Sequence, residues 1–85
     1  MSKRIVLGIQ VTNRVEKIPD VQKILTDYGC NIKTRLGLHE VSTKVCSSLG
    51  LLILDTYGKE ADILAMEKKL KKVRGLVVKK MVFES

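Results

Sequence analysis

Few residues of this 85-residue chain have types and spacing suited to chemistry. His39, Glu40, Cys46 and Cys30 are its candidate soft-metal ligands. A tetrahedral or square-planar site calls for four ligands, each oriented by surrounding hydrogen bonds. One histidine and two cysteines fall short of that in one subunit, and two subunits would add only a second histidine and a few thiols or carboxylates. The expectation is no resident metal, with His39 an exposed strand residue and the cysteines small apolar fillers. Thr34, Arg35, Gly37 and His39 form a second constellation, suited to a small ligand at a dimer seam. A guanidinium can clamp a carboxylate or phosphate through two parallel hydrogen bonds; it serves equally well to shield a sheet edge. Gly37, between Leu36 and Leu38, reads as a bulge or a place of close backbone approach. Asn13 and Arg14 stand where a strand hands over to a helix, a junction that can receive an anion. An asparagine there can also be no more than a cap.

No catalytic set accompanies them. The chain has no Ser/His/Asp trio in a suggestive order, no carboxylate pair with an evident cleft, and no glycine-rich phosphate loop. The expectation is a non-enzyme without a cofactor. Sixteen Lys and Arg against nine Asp and Glu give a net charge of +7. Lys68, Lys69, Lys71, Lys72, Arg74, Lys79 and Lys80 lie in one stretch without an acid among them. Such a patch can mark a nucleic-acid or acidic-protein partner. The plainer reading is a solvated helix end, because cations favour the last turn of a helix and Glu60, Asp62 and Glu67 lie toward its front. No helix-turn-helix or ribbon-helix-helix precedes the patch, so nucleic acid is not expected as a partner of this chain alone.

The elements that must position these residues follow from periodicity. Ile5, Leu7, Ile9 and Val11 alternate in a strand from Arg4 to Thr12. Val15, Ile18, Val21, Ile24 or Leu25, and Tyr28 recur at helical spacing. That helix begins either at Pro19, where proline suits the first turn, or through a looser turn from Asn13, and Gly29 ends it. Asn31 to Glu40 is a second strand, with Ile32, Thr34, Leu36 and Leu38 on one face and Lys33, Arg35, Gly37 and His39 on the other. Val41 to Ser48 is a loop or hairpin tip. Leu49 to Tyr57 is a third strand, apolar on both faces. Gly58 breaks the pattern. Lys59 to Arg74 is a second helix buried through Ile63, Met66, Leu70 and Val73, and Gly75 stops it. Leu76 to Phe83 is a last strand.

Strand, helix, strand, strand, helix, strand is the α+β ferredoxin-like order: a four-stranded antiparallel sheet, strands 1 and 3 central, two helices on one face. Residues 1–85 form one domain. No apolar run is longer than that from Leu51 to Leu54, far short of the roughly 20 residues of a membrane span, and the first residues do not read as a signal peptide. A cytoplasmic protein is expected, with reduced thiols. A domain this small lacks core to spare. With strand 3 apolar on both faces, a homodimer or tetramer that buries open sheet faces or edges is expected. The fold alone settles no function. With only Tyr28, Tyr57 and Phe83 as aromatics, none mid-strand on strands 1 or 3, RNA recognition by base stacking is not expected.

Val11-Thr12-Asn13-Arg14, followed by Tyr28-Gly29-Cys30-Asn31-Ile32, resembles the run that characterises ACT-type regulatory domains, in which Asn13 and Arg14 would mark the ligand corner. Val15-Glu16-Lys17 replace the small residue and glycine usual there. Thr34-Arg35-Leu36-Gly37-Leu38-His39-Glu40, Cys46-Ser47-Ser48, Gly50 to Leu54 and the ending Gly75 to Phe83 are more specific. They resemble a small family of bacterial proteins assigned as regulators of the iron-only hydrogenase system. Its members are stand-alone ACT-like domains related in fold to the C-terminal domain of the nickel-responsive regulator. The resemblance implies a non-catalytic regulatory or sensor protein that acts as an oligomer on a small effector or protein partner. A metal-binding protein like the nickel regulator, or a nucleic-acid-binding regulator using the Lys68–Lys80 region, is the alternative.

Overall fold

The computed structural model describes residues 3–12, 18–41 and 46–84, with the backbone alone for 38–41 and 46–49. Strand β1 (Lys3–Val11) leads to helix α1 (Ile18–Asp27), a 3-10 turn at Gly29–Asn31, strands β2 (Ile32–Val41) and β3 (Cys46–Thr56), helix α2 (Glu60–Lys71) and strand β4 (Leu76–Glu84). The strands form one antiparallel sheet in the order β2-β3-β1-β4, the ferredoxin-like arrangement with β1 and β3 at the centre.

The alternation in β1 sets the layers. Ile5, Leu7 and Ile9 are buried, whereas Val6 and Gly8 between them are half-buried and Arg4 and Gln10 on either side are exposed. Leu7 pairs with Leu54 and Ile9 with Leu52 on β3, and Ile9 with Val78 on β4. Paired residues share a face, so these belong to one helix-covered side. Val21 and Leu25 of α1 and Ile63, Met66 and Leu70 of α2 complete the core above them. The opposite face carries Val6, Gly8, Leu36, Leu51, Ile53, Val77, Met81 and Phe83, with no helix over it among the described residues.

Pro19 lies in the first turn of α1, where its missing N–H costs nothing. Residues 13–17, which hold the other possible start, lie outside the described residues. Gly75 has φ 91°, the left-handed conformation expected of a helix stop. Gly29 does not: the positive-φ glycines are Gly58 and Gly75, and α1 runs out through a Tyr28 N–H to Ile24 O bond of 3.0 Å into the 3-10 turn. At Gly58 (φ 100°) an added Cβ would lie 2.9 Å from Asn31 Nδ2. That amide and the Asn31 backbone clamp Tyr57 from both sides, through Asn31 Nδ2 to Tyr57 O at 3.1 Å and Tyr57 N to Asn31 O at 2.8 Å.

The faces of β2 differ from the simple alternation. Ile32 pairs with Thr56, but Thr34 pairs with Asp55, so a register shift falls between them. The shift keeps Ile32 with the helix-side core, where it packs half-buried, and sends Thr34 and Leu36 to the open face. The third strand also begins earlier than its apolar run, at Cys46.

Candidate functional site

Arg35 and Gly37 pair with Leu54 and Leu52, both helix-side residues. They lie where α1 stops short of covering β2. A cavity of about 210 Å³ opens there, walled by Ile18, Val21 and Gln22 of α1 and floored by Gly50 and Leu52. Arg35 stands at its rim. Among the described residues no carboxylate lies within ion-pair distance of its guanidinium. The geometry suits a small ligand with an anionic end for Arg35 and an apolar body for the floor. Arg35 thus faces the helix layer, with Thr34 on the opposite side of the same strand. Gly37 is not a bulge, since the register shifts fall at Ile32/Thr34 and His39/Val41. A Cβ on it would lie 3.4 Å from Leu52 Cδ2, an ordinary contact that narrows the cavity.

His39 pairs through its backbone with Gly50, and Cys46 with Val41, at the distal end of the β2–β3 hairpin. Their side chains, and that of Glu40, are outside the described residues, as are Asn13 and Arg14 altogether. Cys30 is exposed in the turn before β2. The strand from Ile32 to His39 lies between them, about 23 Å of extended chain, so one subunit does not bring these candidate ligands together. Among the described residues, no three His, Cys, Asp or Glu cluster as a metal site.

The basic stretch divides among three surfaces. Lys79 pairs with Gly8 and so lies on the open face, whereas Lys80 pairs with Leu7 on the helix side. Lys69 places its ammonium 5.3 Å from the centre of the Tyr28 ring. Lys69, Lys72 and Arg74 line a groove of about 660 Å³ between the helices, opposite Asp20, Lys23 and Asp27, and Lys23 is already paired with Asp27 at 3.0 Å. Lys71 and Lys80 converge on Glu67, each at 3.3 Å, one on each carboxylate oxygen.

Glu67 was not among the expected core residues. It is 6% exposed, yet it is an acid in a layer of Ile63, Met66 and Leu70. The sequence holds the signal in two ways. Glu67 falls four residues after Ile63 and three before Leu70, on the apolar stripe itself. It also precedes Lys71 by four residues, the favourable order for a helix ion pair.

At the other end of the sheet, Arg4 grips Asp55 through two bonds, Nε to Oδ1 at 3.2 Å and Nη2 to Oδ2 at 2.9 Å. That fork holds the Asp55 carboxyl below its ordinary value, with burial opposing the shift and the Arg4 and Lys33 charges adding to it. Lys3 is raised by its hydrogen bond to Glu60 at 3.2 Å.

No family model matches the chain, and no curated protein matches it. Among solved structures it is similar to an uncharacterized protein of Thermotoga maritima, with a TM-score of 0.79 and 23% identity over 98% of this chain and 100% of that one. It is also similar to the C-terminal domain of an ABC transporter ATP-binding protein of Enterococcus faecalis, with a TM-score of 0.60 and 21% identity over 94% of this chain and 83% of that one. At these identities the likeness is one of fold. Among the described residues no helix is long and apolar enough to cross a membrane.

Proposed function

We propose that the chain is a non-catalytic, cytoplasmic regulatory protein that works as an oligomer, with a small anionic effector seated between α1 and β2. The observation that carries this reading is the uncovered side of the sheet. Leu36, Leu51, Val77, Met81 and Phe83 are all more than a third exposed and share that side. An apolar surface of that breadth is rare on a monomer and marks an interface. A second copy is the occupant the surface fits. Apolar residues of β2 and β3 form one ridge, and those of β4 form another. Gly8, on the central strand, leaves open space between them. A two-fold axis near Gly8 sets one copy's ridge into the other's trough.

The regulatory role and its context rest on the sequence. The run from Thr34 to Glu40 and the ending Gly75 to Phe83 resemble the regulators of the iron-only hydrogenase system. Effector and assembly are linked if the ligand binds one association state more tightly. The test has two parts. Sedimentation at roughly tens of micromolar is expected to show a dimer or tetramer, and a monomer would overturn the assembly. Deletion of the gene in an organism with the hydrogenase is expected to change hydrogenase activity or maturation-gene transcripts, and unchanged levels would remove the context. Turnover by the purified protein would remove the non-enzyme reading.

A further inference from the structure

The groove between the two helices carries opposite charges on its two walls. Lys69 of α2, with Lys72 and Arg74 just beyond its end, stands on one side, and Asp20 and Asp27 of α1 stand on the other. The walls do not close on each other. Among the described residues, none of the three cations lies within ion-pair distance of a carboxylate, and Asp20 has no cation beside it. Asp27 is engaged by Lys23 of its own helix. Charges that face each other over a groove of about 660 Å³ and leave it open make room for a ligand that answers both walls.

The topology fixes which charges face which. Each helix returns between two parallel strands, β1 to β2 and β3 to β4, and these pairs run oppositely, so α1 and α2 are antiparallel. Lys69 lies over Tyr28 at the end of α1, which places Lys72 and Arg74 toward Ile24 and Asp20. The end of α2 does not meet an anion with bare carbonyls there, because Lys69 O and Leu70 O accept from Lys72 N at 3.2 Å and Val73 N at 3.1 Å. Half-buried Ile24 and Val73 are the apolar part of the floor. Two such side chains are too few for a partner helix, which docks through a row of anchors at i, i+3, i+4 and i+7. They suit one flat ring.

We propose that this groove binds a nucleoside diphosphate, with the phosphates on Lys72 and Arg74, the base on Ile24 and Val73, and ribose hydroxyls donating to Asp20. A guanidinium meets two phosphate oxygens at once, and an ammonium adds a point charge. A carboxylate accepts from ribose hydroxyls, as in dinucleotide-binding folds. Simpler ligands answer the groove less well. Inorganic phosphate or pyrophosphate satisfies the basic wall but brings no donor for Asp20, which repels it. A zwitterionic amino acid has both charges but fills only a small part of the 660 Å³. The site shares no lining residue with the cavity at Arg35 and needs no second copy, so it does not depend on the function proposed above.

Titration calorimetry with ADP, free of divalent cations and at physiological ionic strength, tests the proposal; the apolar floor does not choose among bases, so ADP serves as the probe. ADP is expected to bind, and Lys72→Ala or Arg74→Ala to raise its dissociation constant about tenfold. Both residues are exposed and unpaired among the described residues, so neither change disturbs the fold. Lys79→Ala removes the same charge from the open face and is expected to change the constant by less than about twofold. Asp20→Ala separates recognition from mere attraction of charge. It is expected to weaken ADP about fivefold, through the lost acceptor, and to tighten pyrophosphate, through the lost repulsion. No binding of ADP at about 1 mM overturns the proposal. Pyrophosphate binding as tightly as ADP removes the nucleoside from it. Equal weakening by Lys79→Ala and Lys72→Ala, or tighter ADP binding in Asp20→Ala, reduces the interaction to a basic chain attracting polyanions and overturns the site.

Discussion

The two sides of this sheet are made of the same residue types and meet opposite fates. On one side Leu7, Ile9 and Leu54 are fully buried beneath Met66 and Leu70. On the other, Leu36 is 52% and Met81 53% exposed. Nothing in the strands distinguishes the sides except which of them the two helices can reach. The two helices of the described residues cover one face, and the apolar residues of the other are left without cover from them. The core side therefore governs folding, and in the proposed assembly the open side governs association.

The largest effect expected from that division is Leu54→Ala. Removing a side chain with no exposed surface leaves a cavity beside Leu7 and costs about 2–5 kcal/mol. Leu36→Ala, measured by denaturant unfolding under monomeric conditions, is expected to cost within about 0.5 kcal/mol. Equal losses at the two positions would break the comparison, since the open face would then belong to the fold itself.

Lys80→Ala comes next. Glu67 lies among the core residues of the covered side and has Lys71 and Lys80 as its partners. Losing one leaves a buried carboxylate oxygen poorly satisfied, at about 1–3 kcal/mol. The double variant Lys80→Ala, Glu67→Leu is expected to recover most of that, because a leucine at 67 continues the stripe of Ile63 and Leu70. A double variant no more stable than Lys80→Ala would mean that the carboxylate itself is required there.

Most of the architecture was legible because strand alternation and helical spacing repeat over many residues. The strand order and both positions of the helices follow from them. What escaped depends on single residues and long-range partners. The register shift after Ile32 moves Leu36 away from the core, and no local pattern announces it. Glu67 was read as a dipole-favoured acid because its second partner, Lys80, comes from β4. Arg35, Gly37 and His39 share a strand as expected, but the face they occupy is set by which side the helices take. The separation of Cys30 from His39, by contrast, was legible, since the strand expected from Asn31 to Glu40 already sets them at opposite ends.

On the open side, Leu36→Lys is expected to raise the dissociation constant of the assembly about tenfold or more, equivalent to about 1.4 kcal/mol, with unfolding of the monomer little changed. Analytical ultracentrifugation over a concentration series reads this directly. An unchanged constant would place the assembly away from the open face.

The smallest effect comes from the polar rim of that same open side. Asp55 pairs with Val6 and Arg4 with Phe83, so their fork sits beside the apolar surface rather than inside the core. Its carboxyl is held below the ordinary value, first by the hydrogen bonds from Arg4. A carboxylate depressed in the folded state contributes stability above its unfolded value, near about 3.9, and loses it as pH falls through the lower folded value. The wild type is therefore expected to lose stability relative to Asp55→Asn as pH drops below about 4, with a constant difference between them at neutral pH. Taking the difference between the two proteins removes the titration of the other carboxylates, which both share. Arg4 is mostly exposed, so the bonds are screened and the difference is expected to be small. A difference that does not vary with pH in that range would mean that the fork orders the rim without favouring the charged acid.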